Sequence, residues 1–321
     1  MKTKTTRLAS LFRMLDAAKY GSLLLAMAFS LPVAVSAADT VGKTFATPDD
    51  AVAALEVAAV SMDRDALRAI FGPAAEDLEN PDQVQATNDM SRFTAALRQS
   101  KHLVRESDTR CVLEVGCENW PFPVPVVKKD GQWFFDTEAG KDELLNRRIG
   151  SNELMTLSAV RAYVEAQRDY AAKDRDGDDV LEFAQKFVSA PGTKDGLYWP
   201  IEPDGEISPL GPLVAQAQGE GYGLKDKGES PEPFHGYFFK VLTRQAKSAP
   251  GGKYDYLING NMIGGFALVA WPASYGETGV MTFIVNQQGR VYQKDLGPGT
   301  VKSAAGMKVY DPDKTWKLSD E

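Results

Sequence analysis

Histidine and cysteine are nearly absent from this chain of 321 residues, with two of each. That scarcity excludes a disulfide-rich scaffold, a zinc-finger array and a Cys/His-rich metal site. Basic residues are outnumbered as well, 36 Lys and Arg against 44 Asp and Glu, for a formal charge of −8. Nucleic-acid phosphates demand a basic surface, so no nucleic-acid partner is expected. Beyond Val35 no apolar run reaches the roughly 18 residues of a membrane span, so a water-soluble chain is expected after that point. Reaction signatures are also missing: there is no Gly-x-Ser-x-Gly elbow, no Gly-x-x-x-x-Gly-Lys-Ser/Thr loop and no His-Glu-x-x-His helix.

What is present begins with an address. Lys2, Lys4, Arg7, Arg13 and Lys19 face a single acid, Asp16, and a mostly apolar run from Ser22 to Val35 follows, interrupted by Pro32. Small residues suit cleavage after Ala37 (Val35 and Ala37) or after Ala38 (Ser36 and Ala38). Residues 1–38 therefore read as a Sec-type signal peptide, and the expected location is periplasmic or secreted. An oxidising compartment permits Cys111 and Cys117 to pair. One extended strand between them would hold them about 20 Å apart at ~3.3 Å per residue, so pairing needs a turn near Gly116. Both states stay open.

The remainder has the composition of a folded protein, 43% hydrophobic and 25% charged, and its length suits about two domains. In residues 39–150, Thr47-Pro48 precedes Ala51, Val52, Leu55, Ala58 and Ala59 at helical spacing. Helices are also expected from Asp65 to Phe71, stopped by Gly72-Pro73, and from Gln83 to Gln99. Strands follow at 112–115, 124–128 and 133–135, with Asp130-Gly131 as a hairpin signal between the last two. Helices followed by a strand meander make an α+β domain. The order resembles the cone-shaped fold of nuclear transport factor 2-like domains, which implies helices on one face of a curved sheet and selects no function.

In residues 151–321, Asn152 is an N-cap candidate for a long helix carrying Leu154, Leu157, Val160 and Val164. A second helix is expected over Val180, Leu181, Phe183, Ala184, Phe187 and Val188, stopped by Pro191-Gly192. Strands then run at 237–242, 254–258, 265–271, 280–285 and 291–294. The segments Ala162–Tyr170, Lys194–Pro200, Ser208–Pro212, His235–Phe239, Gly264–Pro272, Thr278–Val285 and Tyr292–Gly297 resemble the bacterial family called domain of unknown function 2950. Trp120–Pro123 and Arg147–Glu153 extend the likeness over nearly the whole chain after the leader. The resemblance implies an exported protein with a shared fold and no assigned activity, and hints at an envelope protein as partner. At fold level this half is weakly similar to the heads of type IV pilins and type II secretion pseudopilins, without the apolar half-helix that drives their assembly.

Several constellations bear chemistry. Asp174, Asp176 and Asp178 alternate, with a Val180 carbonyl and Glu182 next in line, which is the first half of an EF-hand calcium loop. Asp179 replaces its turn glycine and Gln185 its bidentate glutamate, so weak calcium binding competes with a solvated acidic turn in which Asp178 caps a helix. His235 precedes a strand and could face Lys294 or Asp295. Tyr198, Trp199, Tyr237, Trp271 and Tyr275 could form a sugar- or peptide-binding face, or pack the core. The expectation is an α+β exported protein with a non-catalytic binding or structural role. The alternative is a carboxylate-dependent hydrolase of cell-wall or polysaccharide material, assisted by calcium.

Overall fold

The computed structural model describes residues 42–175, 177–201, 205–223 and 232–319. The proposed signal peptide and Asp176 lie outside the described residues.

Helix α1 (Pro48–Val60) starts where the sequence places it. The Thr47 hydroxyl accepts the Asp50 N–H at 3.1 Å and the Asp50 carboxylate accepts the Thr47 N–H at 3.1 Å, a reciprocal capping box. Helix α2 (Arg64–Phe71) ends at Gly72, in the left-handed region with φ 72°. A 3-10 turn (Pro73–Leu78) leads to α3 (Gln83–Gln99), capped by Asp82.

The first antiparallel sheet contains β1 (Lys101–Ser107), β2 (Arg110–Val115), β3 (Trp120–Pro121), β4 (Val126–Lys129) and β5 (Gln132–Phe135). Asp130 and Gly131 close the β4–β5 hairpin with φ of 51° and 84°, the paired left-handed geometry that selects Asp-Gly. Leu55, Leu97, Leu113, Trp133 and Phe135 are buried in the core between this sheet and its helices. Cys111 is buried, Cys117 is exposed, and both are free thiols.

Helix α4 (Thr137–Tyr170) runs without interruption past Asn152, and its cap is Asp136, whose side chain accepts the Ala139 N–H. Asn152 is fully buried inside the helix. It accepts a hydrogen bond from Gln85 at 2.7 Å and donates one to the Thr278 carbonyl at 2.9 Å, so it joins distant segments rather than opening a helix. Leu144 packs on the first core, whereas Val160, Tyr163, Val164 and Tyr170 belong to a second.

The helix expected over 180–188 is absent. Gln167 of α4 donates to the Ala184 carbonyl at 2.8 Å and accepts the Ala184 N–H at 2.8 Å. Phe183 N–H bonds the Met262 carbonyl and Ser189 N–H the Tyr198 carbonyl. With its backbone groups committed to other segments, this stretch cannot close helical rings.

Helix α5 (Gly211–Glu220) precedes β6 (Tyr237–Leu242), β7 (Arg244–Gln245), β8 (Tyr254–Asp255), β9 (Leu257–Ile258), β10 (Asn261–Met262), β11 (Ala267–Pro272), β12 (Met281–Asn286) and β13 (Tyr292–Asp295). Helix α6 (Thr300–Ala305) and β14 (Lys317–Leu318) complete the chain. The second five-stranded sheet is antiparallel in the order β14-β13-β12-β11-β6. Every residue of β11 is buried, because α4 and α6 both pack against it. The architecture is α+β, as the sequence implies.

Candidate functional site

The register of β6 on β11 pairs Trp271 with Phe238 and Ala270 with Phe239. Cross-strand partners share a face and neighbours along a strand alternate. Trp271 and Phe238 therefore project from one face, their ring centroids 5.9 Å apart. Tyr237, Phe239 and Leu268 project from the other. All five line a single cleft of about 560 Å³. Tyr163 of α4, Leu213, Val214 and Ala217 of α5, Val301 and Ala305 of α6, and Phe187 and Tyr198 line it as well.

The wall is apolar and electrically quiet. The hydroxyl of Tyr237 donates to the Met281 carbonyl at 3.0 Å, that of Tyr222 to Asp82 at 2.8 Å, and that of Tyr163 to the Ala267 carbonyl at 3.4 Å. Burial pushes the pKa of all three well above the ordinary phenol value. They act as hydrogen-bonded aromatic walls. Glu232 is the lining residue that carries a carboxylate, and no lysine, arginine or histidine joins it among the described lining residues. Trp271 is 7% exposed and its indole N–H has no partner among the described residues.

Beside the cleft lies a hydrogen-bonded rim. Asp82 caps α3 through the Gln85 N–H at 3.0 Å and accepts the Tyr222 hydroxyl and, at 3.1 Å, the Gly236 N–H. Gly236 has φ 72°, and a Cβ there would stand 2.7 Å from the Asn152 amide nitrogen. His235 Nε2 lies 2.8 Å from a Glu220 carboxylate oxygen, and its ring packs on Phe234 with centroids 4.5 Å apart.

The residues singled out from the sequence fall into separate places. Tyr198, Tyr237 and Trp271 meet in the cleft, and His235 sits at its rim, facing Glu220 rather than Lys294 or Asp295. Trp199 donates to the Glu206 carbonyl at 3.1 Å, its ring under the Arg175 guanidinium. Tyr275 donates to Asp295 at 3.2 Å, and Lys294 donates to Thr315 at 2.7 Å with its ammonium over Trp316. The α5 contribution was missed, although Leu213, Val214 and Ala217 follow a one-face helical spacing.

The acidic loop is tied up internally. Asp174 accepts the N–H groups of Gly177 and Asp179, Asp178 those of Val180 and the Asn261 amide, and Glu182 that of Met262. No helix follows for Asp178 to cap. Among the described residues no group of three or more His, Cys, Asp or Glu side chains is arranged to hold a metal ion. Likewise, no helix among them is long and apolar enough to cross a membrane.

Fold and cleft together define a mixed α and β protein with a concave apolar site at one end of an antiparallel sheet. The chain belongs to the family described as protein of unknown function (DUF2950), whose model matches residues 42–318. No curated protein and no solved structure matches it.

Proposed function

We propose that this is a non-catalytic binding protein of the bacterial envelope, exported to the periplasm or beyond, that holds an apolar ligand in the cleft. The observation that carries the reading is the cleft itself, about 560 Å³ walled by aromatic and aliphatic side chains, within the size and character of ligand sites generally. Export rests on the basic-then-apolar pattern of residues 1–38. On this reading residues 39–150 are a cone-like support and residues 151–321 a head-like unit that bears the site.

The test is a titration with an uncharged fluorophore, 1-aminoanthracene, whose emission rises on leaving water. Saturable one-to-one binding is expected, lost when Ala217→Trp fills the cleft while the thermal transition is kept. Unchanged emission, or equal binding by the filled variant, refutes the reading.

A second reading, hydrolysis of a cell-wall or polysaccharide substrate with calcium at the Asp174 loop as an adjunct, draws support from the 2.8 Å approach of His235 to Glu220. It requires that His235→Ala abolish release of reducing sugar or amine from purified cell wall.

A further inference from the structure

The chain is pinned where its described residues begin. The Lys43 N–H bonds the Ala69 carbonyl at 2.8 Å, and Phe45 exchanges two backbone bonds with Trp133, at 2.7 and 2.9 Å. Gly42 lies so close to the end of α2 that a Cβ there would stand 2.1 Å from the Ile70 oxygen and 2.8 Å from the Gly72 nitrogen. Only glycine allows that approach. Whatever precedes Gly42 in the sequence therefore starts from a fixed point.

That point opens on a surface groove of about 570 Å³, which Gly42 lines together with Lys43, Arg68, Ala69, Ala75 and Glu76. Arg68 is already paired, 2.6 Å from Glu79. The Lys43 ammonium rests over the Phe45 ring, 5.6 Å from its centroid. Among the described residues neither that ammonium nor the Glu76 carboxylate has an ion-pair partner. Ala69 belongs to the C-terminal end of α2, where the helix dipole is negative and a cation is favoured.

The segment that cleavage would leave ahead of Gly42 fits this groove in length and charge. It is Asp39, Thr40 and Val41, with Ala38 added if the cut falls after Ala37. Three or four residues reach about 10–14 Å at ~3.5 Å each, and a space of about 570 Å³ is roughly 10 Å across. Cutting also creates a charge: the new first residue bears an α-ammonium where the uncut chain has a neutral peptide bond. The trimmed segment thus offers one cation and the Asp39 carboxylate, and the groove offers Glu76 and Lys43 in return.

We propose that the groove receives the mature amino terminus of this chain, its α-ammonium on Glu76, Asp39 toward Lys43 and Val41 against Ala69 and Ala75. The proposal rests on the export reading, because only a trimmed leader supplies the ammonium. Removal of the leader then locks the first helices and β5 together, and the trimmed chain is more stable than one with residues ahead of that terminus.

The protein is recovered from the periplasm of an expressing bacterium, and its mass identifies the first residue. Its urea unfolding is compared with that of a form carrying Gly-Ser-Gly-Ser ahead of that residue, each in wild-type and Glu76→Gln backgrounds. Glu76 is exposed, so the variant keeps the fold. The extension is expected to lower the folded-to-unfolded ratio of the wild type about twofold to fivefold, the range of an exposed ion pair. Glu76→Gln is expected to cost a similar factor, and the extension to cost nothing more in that background. An extension without effect on the wild type, or with an equal effect in both backgrounds, overturns the docking, and a trimmed mass then leaves the export reading standing. The mass of the uncut chain overturns the export reading itself and the docking with it.

Discussion

Replacing Asp82 with alanine perturbs the rim that shapes the cleft, and the structure sets the size of the effect. Asp82 is buried at 4% exposure and serves three donors: the Gln85 N–H of the α3 cap, the Tyr222 hydroxyl and the Gly236 N–H. Loss of the cap costs about 1 kcal/mol. The Tyr222 hydroxyl and the Gly236 N–H stay buried without an acceptor, at about 1–3 kcal/mol each. The three bonds share one carboxylate and do not add simply, so a total near 3–5 kcal/mol is expected. Tyr222→Phe removes one donor to Asp82 and the acceptor of the His235 N–H, 3.3 Å away, for about 1–2 kcal/mol. In the Asp82→Ala background the same change no longer costs the bond to Asp82 and loses only the acceptor of the His235 N–H, so it is expected to cost less than in the wild type. The assay is urea unfolding followed by tryptophan fluorescence, with unchanged m-values confirming a comparable transition. A loss below about 1 kcal/mol for Asp82→Ala, or single effects that add within about 0.5 kcal/mol, refutes the clasp.

Three further outcomes follow from the charges and thiols. Burial raises the pKa of Tyr163, Tyr222 and Tyr237 above their unfolded value near 10. Above about pH 10 the unfolded chain therefore binds fewer protons than the folded one. Stability is full below about pH 10 and falls as pH rises beyond it, so a urea midpoint that stays flat to about pH 11 contradicts this. The Glu206 carboxyl is held at about 2, chiefly by a hydrogen bond from Lys173 with Arg175 and Lys194 nearby, against its ordinary 4.5. Its contribution is present above pH 4.5 and is lost as pH falls toward about 2. Because this carboxylate is partly exposed, Glu206→Gln is expected to cost at most about 1 kcal/mol at neutral pH and nothing near pH 2, which paired acid titrations of unfolding will show. Cys117 is expected to react at once with a thiol reagent and Cys111 only on unfolding, since one is exposed and the other buried; a chain that yields no thiol before reduction contradicts the unbridged state.

What the sequence makes legible is what neighbouring residues decide among themselves. The helix start at Thr47-Pro48 and the Asp130-Gly131 turn are decided within four residues, and the sequence alone foretells them. Asn152 has the same side-chain chemistry as an N-cap. Its partners, Gln85 and Thr278, lie far along the chain, and nothing around position 152 reveals them. Val180 to Val188 carries helical spacing in full, yet the amide of Gln167 takes both backbone groups of Ala184, and a helix cannot form around bonds already committed. The cleft divides along the same line. Tyr237 and Trp271 are visible as aromatics on strands, whereas their meeting depends on β6 pairing with β11 at the end of the sheet order. A terminal position is a property of strand order: the same Tyr237–Leu242 segment placed between two strands of the sheet would have no cavity joining its two faces. The cleft therefore arises from topology acting on ordinary strand residues, which explains why no motif announces it.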